Sequence, residues 1–346
     1  MNAALPPRLE SLLRDAQDRQ ASDLHLLPNE PPAIRVGGSI TRMECEPLSA
    51  AEIREIAEAV VGKEALARIG REVGEVRRSI DIPGELAGLL CAARSQGDYT
   101  IAVRLFCNQI PTVEQARIPE AILAAVSSRN GLVIISGLTG SGKTTAAYTL
   151  TEHINATSNC HICAVEDPVA YRLTPKRAMV QQRGIALDVP DALSGIHASV
   201  EQDADVLLVS EIRGLEELQA CISAAETGHL VIVVMHAAAP EDAVRRIIDV
   251  FPEDVREASR RALASVLRAV STQKLLPRAD QPGRVPAYGV IVPDAEMRAA
   301  IAEGRDFLAR RAPLPEGCRT MAEDVEILLR EGLISQDTAR RALGEG

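Results

Sequence analysis

Gly137-Leu138-Thr139-Gly140-Ser141-Gly142-Lys143-Thr144 matches the full G-x-x-x-x-G-K-[ST] pattern of a phosphate-binding loop. An apolar run at 131–136 precedes the loop and a helix-forming stretch at 146–154 follows it, the strand–loop–helix context that the pattern requires. Glycines let successive N–H groups turn inward on an anion, and the following helix adds its positive end. Lys143 is expected to reach the β and γ phosphates of ATP, and the Thr144 hydroxyl to enter the shell of Mg²⁺. Gly137, Thr139, Gly140, Ser141, Gly142, Lys143, Thr144 and Thr145 are therefore the candidate nucleotide contacts.

An ATPase also needs one carboxylate to order the water shell of Mg²⁺ and one to orient the attacking water. Ligands of open parallel sheets bind beyond the carboxyl ends of the strands, and that rule sorts the acids. Glu166 and Asp167 directly follow the apolar run 162–165, and Glu211 follows 206–210. Asp205 stands at the opposite end of that second run, ~20 Å away at roughly 3.3 Å per residue, and reads as structural. Glu211 is the Walker B candidate and a metal ligand, with Glu166 as its catalytic partner. The alternative is that these acids only cap the helices that follow. His236 ends the run 230–235 on the phosphate side and is a candidate γ-phosphate sensor. His229 precedes the same run, as a nucleotide contact or as a core or subunit-contact residue. Cys160-His161-Ile162-Cys163 contains a C-x-x-C, but it enters a strand, where residues three apart point to opposite faces.

These residues need a scaffold. Runs at 131–136, 162–165, 206–209 and 230–235 are continuously apolar and separated by helical stretches, the signature of strands buried on both faces of a parallel sheet. After the fourth run the pattern turns helical, with 253–276 one amphipathic stretch and 321–343 a helical tail. The N-terminal region reads as a small α/β unit, with a helix at 9–19, strands at 23–27, 33–36 and 99–106, and a helix begun by a Ser49/Glu52 capping box. A short linker begins at Asn108 and holds Pro111.

The 346 residues suit two domains, and the core must be mainly aliphatic, given three Phe, four Tyr and no Trp. A net charge of −10 and so few aromatics disfavour a nucleic-acid channel, which needs a basic groove and stacking platforms. The seven cysteines are odd in number and scattered, with no secretory pattern before them, so a reducing cytoplasm is expected. No run reaches the ~18 apolar residues that span a bilayer, so membrane association is expected through partners, without direct insertion.

Together these residues resemble the PilT-like ATPases of the type IV pilus and type II secretion superfamily, over nearly the whole chain. Ala21-Ser22-Asp23-Leu24-His25-Leu26 is similar to the opening motif of their PAS-like domain. Val165-Glu166-Asp167-Pro168 resembles their Asp box, 205–213 their Walker B segment, and Thr227-Gly228-His229-Leu230 through His236 their His box. Residues 247–252 and 297–301 resemble segments of the retraction branch. The resemblance implies an α/β protein with a PAS-like domain at 1–107, a linker at 108–117 and a RecA-like ATPase domain at 118–346. It implies a homo-hexamer at the cytoplasmic face of the inner membrane, held there by the pilus platform protein and driving pilus retraction in twitching motility. The assembly branch of the resembled family usually carries a tetracysteine zinc insertion and a longer N-terminal region, so size and cysteine spacing lead us to expect the retraction type.

Some positions depart from the family pattern. Where relatives carry arginines and an asparagine after Ile82-Pro83-Gly84, this chain has Ala87, Leu89 and Cys91. His197 and Glu201 stand where a second arginine pair precedes Walker B, and Ala170 replaces the second acid of the Asp box. Arginine fingers are worth ~10³–10⁵ in rate, so the departures imply slow turnover, or an accessory subunit beside an active paralogous ATPase. Arg104 is the N-terminal arginine that still fits a family position, and becomes the candidate catalytic arginine. The remaining alternative, a nucleic-acid translocase, runs against the charge balance.

Overall fold

The computed structural model describes residues 5–36, 39–82, 86–105, 109–212, 214–309 and 314–344. Pro83, Gly84, Phe106, Cys107, Asn108 and Arg213, which entered the sequence reading, lie outside the described residues, as does the side chain of Ala87. The chain divides into two compact units, Met1–Gln109 with Ala170–Arg172, and Ile110–Val169 with Leu173–Gly346.

The first unit contains α1 (Pro7–Asp18), β1 (Asp23–Leu26), β2 (Ala33–Val36), β3 (Ser39–Arg42), α2 (Ala50–Val61), α3 (Lys63–Arg68), β4 (Glu75–Ile82), β5 (Leu86–Ser95) and β6 (Asp98–Leu105). Its strands form an antiparallel sheet in the order β3-β2-β1-β6-β5-β4. Leu9, Leu12, Leu13 and Ala16 of α1 are buried, a helical stripe that joins Leu24, Ile53, Leu90 and Val103 in one core. The Ser49 hydroxyl accepts from Glu52 N and the Glu52 carboxylate accepts from Ser49 N, which fixes the start of α2; such a cap is worth ~1 kcal/mol.

The second unit runs α4 (Glu120–Val126), β7 (Gly131–Gly137), α5 (Lys143–Thr157), β8 (His161–Glu166), β9 (Met179–Gly184), α6 (Ala192–Glu201), β10 (Val206–Val209), α7 (Leu215–Glu226), β11 (Leu230–Met235), α8 (Pro240–Asp249), α9 (Glu253–Val266), β12 (Leu267–Pro277), β13 (Arg284–Ile291), α10 (Ala295–Glu303), α11 (Met321–Arg330) and α12 (Gln336–Leu343). The strand order is β13-β12-β7-β11-β10-β8-β9, parallel except where β13 joins the edge. The four apolar runs are the central strands β7, β8, β10 and β11. Val133, Cys163, Leu207 and Val231 are all wholly buried, because helices cover both faces.

One expected helix is wrong. Residues 253–276 are not a single amphipathic stretch: α9 ends at Val266 and the chain enters β12. The β-branched residues Val270 and Thr272 favour extended backbone, and β12 lies between β7 and β13, so it is buried on both faces and shows no alternation. The C-terminal stretch is two helices, with Ser335 capping the second. They pack through Val325, Leu328 and Ala339 against Leu276, Val285 and Ala287 of β12 and β13.

Candidate nucleotide site

Parallel pairing aligns the strand ends. Met235 of β11 pairs with Ser136 of β7, and Val209 of β10 pairs with Val233 and Val165. The loop after β7, Glu166, Glu211 and His236 therefore emerge at one edge of the sheet.

The phosphate loop spans Gly137 to Lys143, where α5 begins. Gly142 caps this helix at φ 87°, in the left-handed region that glycine adopts without strain. At Gly137 a Cβ would lie 2.6 Å from the backbone Gln273 O, so loop and β12 fit there only without a side chain. Two buried polar atoms at the loop, Ser141 Oγ and Gln273 Oε1, have no hydrogen-bond partner among the described residues. Native interiors rarely leave such atoms unmatched, and here they flank the loop in which phosphate and its hydration would sit.

Lys143 Nζ donates to Leu138 O at 3.0 Å and lies 3.4 Å from His236 Nδ1. His236 Nε2 is 3.1 Å from Glu211 Oε1. The first turn of α5 and the residues after β10 and β11 thus converge in a chain from ammonium to imidazole to carboxylate. Burial pushes the Lys143 ammonium below its ordinary pKa, and Glu211 pulls it partly back. A carbonyl and an imidazole are weak partners for a half-desolvated cation, so the site favours an anion at Lys143. Arg246 donates to His236 O at 2.7 Å and holds the end of β11.

Glu166, the last residue of β8, is wholly buried. Its carboxylate accepts from the Tyr148 hydroxyl and from Gln182 Nε2 at 3.2 Å. Asp167 N donates to Ser210 Oγ at 3.0 Å, joining the ends of β8 and β10. Thr144 and Thr145 occupy the first turn of α5, both half-buried, whereas Thr139 is exposed in the loop. The Thr144 hydroxyl and the Glu211 carboxylate are the oxygens that could hold Mg²⁺, hard donors of the kind it prefers beside phosphate and water.

The remaining candidates belong to other elements. His229 precedes β11 at the end opposite the loop, with Nδ1 2.9 Å from Ala224 O. Arg104 belongs to β6 of the first unit, paired with Asp23 Oδ1 at 3.3 Å. Asp205 accepts from His161 N at 2.8 Å and ties the amino ends of β8 and β10. Cys163 is buried in β8, its Sγ 3.4 Å from His161 Nε2. Tyr148, Gln182 and Gln273 were missed by sequence reasoning. A buried tyrosine hydroxyl usually finds a partner, which is the signal that singles out Tyr148; the two glutamines sit on strands that the apolar pattern conceals.

Comparison with known proteins adds four findings. A model of the family described as type II/IV secretion system protein matches residues 98–340. The chain is 32% identical to the uncharacterized protein YggR of Escherichia coli, over 86% of this chain and 90% of that protein. It is 30% identical to the twitching motility protein of Neisseria gonorrhoeae, over 96% of this chain and 89% of the relative. The crystal structure of the pilus retraction motor PilT with bound ADP superimposes with a TM-score of 0.87 at 29% identity, covering 96% of each chain.

Proposed function

The chain belongs to the type II/IV secretion system protein family, and from that premise we propose that it is an ATP-hydrolysing motor for retraction of a type IV pilus. The observation that carries the reading is the convergence of Lys143, His236 and Glu211 beside the glycine loop. The neighbouring motor structure holds ADP, which supports a nucleotide in the equivalent loop here.

In this reading Lys143 leaves Leu138 O and binds the β and γ phosphates, whose charge offsets the burial of the ammonium. His236 then donates toward the γ-phosphate while Glu211 holds its other nitrogen. A Mg²⁺ ion would be held by Thr144 and Glu211 and would supply positive charge to offset that of the phosphates. Glu166 orients the attacking water, its carboxylate aimed by Tyr148 and Gln182. Arg104 supplies a cation to the transferring phosphoryl group within a homo-hexameric ring. The ring works in the cytoplasm, held to the inner membrane by a platform protein; no helix among the described residues is long and apolar enough to cross a membrane.

The test is nucleotide binding and steady-state hydrolysis by the full chain with Mg²⁺. Lys143→Ala is expected to lose tight ATP binding, and Glu211→Gln to keep binding while losing hydrolysis. Equal ATP affinity in wild type and Lys143→Ala would refute the loop assignment. A second reading, an accessory subunit that binds ATP and hydrolyses it slowly beside an active paralogue, draws on one observation. His197 and Glu201 are exposed one helical turn apart on α6 and offer no guanidinium.

A further inference from the structure

A cavity of about 650 Å³ opens among α4, the start of β12, α10 and residues 316–319. Its size falls in the ~300–1,000 Å³ range of small-molecule sites. Arg268, Arg298 and Arg319 line it. Arg319 is neutralised by Asp324. The other two form no ion pair with a carboxylate among the described residues. Arg268 donates Nε to Asn130 O and Nη2 to Asn130 Oδ1, both at 2.9 Å. Arg298 donates Nη1 to Ala264 O at 2.9 Å. Each guanidinium carries five N–H donors in a fixed fork, so both keep unused donors.

The backbone presents Arg268 deliberately. Pairing of β12 with β7 shifts register between Leu267 and Ala269, and an irregularity of this kind re-aims a side chain. Arg268 thereby lies across Gly131, where a Cβ would come 2.5 Å from its Cγ. Gly131 begins β7 and the phosphate loop follows its end, so the cavity lies at the other edge of the sheet, ~20 Å from the loop. Burial and the charge of Arg268 lower the pKa of Arg298 and the charge of Asp294 partly restores it, as expected of like charges brought together in a half-buried space. Glu120 and Glu316 also line the cavity, but both are exposed and neither pairs with these arginines.

We propose that the cavity bearing Arg268 and Arg298 is a second anion site, which takes a phosphate-bearing small molecule. Two guanidinium groups from different elements suit the tetrahedral oxygens of phosphate better than one planar carboxylate. Ala121, Ala124 and Val292 give the organic part of the ligand an apolar wall. The site is independent of the motor reading, and no step of ATP hydrolysis passes through it.

The test titrates full-length Lys143→Ala, to silence the phosphate loop, with inorganic pyrophosphate, ADP and citrate by calorimetry. Pyrophosphate is expected to bind saturably, and ADP more tightly, because its nucleoside reaches the apolar wall. Arg298→Gln should weaken both by roughly tenfold or more, the loss expected for a charge-assisted hydrogen bond. Arg298→Lys, which keeps the charge and loses the fork, should fall between. Because Arg298 also binds Ala264 O, Ala124→Glu serves as a second variant: it adds a carboxylate to the cavity lining, leaves both arginines in the sequence and should abolish binding. Absence of saturable pyrophosphate binding overturns the proposal, as does affinity unchanged by Ala124→Glu. Citrate binding as tightly as pyrophosphate overturns the phosphate assignment.

Discussion

Replacing Tyr148 by Phe removes one oxygen from the interior and keeps the ring that fills α5. Tyr148 is 1% exposed and Glu166 is 0% exposed, so no solvent stands ready to replace the lost donor. Leaving a buried acceptor without its donor costs ~1–3 kcal/mol, and the Gln182 amide remains at 3.2 Å to retain part of the contact. A net loss of ~2 kcal/mol follows. For a body the size of the second unit, each kcal/mol moves the melting temperature by ~2–4 °C, so Tm is expected to fall by roughly 4–8 °C. Thermal unfolding by circular dichroism measures this, and ATP binding by Lys143 should be unchanged while hydrolysis slows. An unaltered melting temperature would refute the reasoning, since it would mean that the hydroxyl gives the buried carboxylate nothing. A lower Tm with an unchanged hydrolysis rate would keep the brace and remove Glu166 from the chemistry.

Three further outcomes are expected. Burial depresses the Lys143 pKa and a bound triphosphate raises it again, so ATP binding takes up a proton in alkaline buffer. Affinity then falls as pH rises past the free-protein value and is flat below it; calorimetry in buffers of different ionisation heat detects the proton, and no uptake at any alkaline pH counts against direct contact. His197→Arg with Glu201→Arg should raise steady-state hydrolysis if missing arginines limit it, because Arg offers a fixed fork of donors. Wild-type turnover of about 1 s⁻¹ or more would instead dismiss the accessory reading. Light scattering with an ATP analogue should show a hexamer, and monomers alone at high protein concentration would speak against the ring.

The strands that carry the site were legible because the sheet buries them on both sides: 131–136, 162–165, 206–209 and 230–235 each appear as unbroken apolar runs. Once strand direction was set, position alone separated Glu211 from Asp205, and the structure ties Asp205 to the far edge through His161 N. β9 was not legible, since Met179-Val180-Gln181-Gln182-Arg183-Gly184 is a half-buried edge strand with no apolar run. With it went Gln182, which reaches Glu166 only because Ala164 pairs with Gln182 across strands. β12 was hidden by Arg268 and Lys274, whose spacing continues the charged face of α9. Its partner β7 lies far away in sequence, and local periodicity carries no trace of that pairing.

β12 also limits how the gene can change length. Its register sets Gln273 opposite Gly137, under the loop glycine that tolerates no side chain, and Lys274 Nζ reaches Ala342 O on α12. Side chains alternate along a strand, so removing one codon between 269 and 273 turns Gln273 to the opposite face, and the loop loses its floor while the last helix loses its anchor. The turn at 279–283 joins β12 to β13 and is exposed throughout. Extra residues there leave both pairings in place and add only a slowly growing closure entropy. In a library of single-codon insertions and deletions, folded and nucleotide-binding members should therefore carry their changes in 279–283 and none in 269–273, a pattern that substitution scanning of the same strand would not reveal.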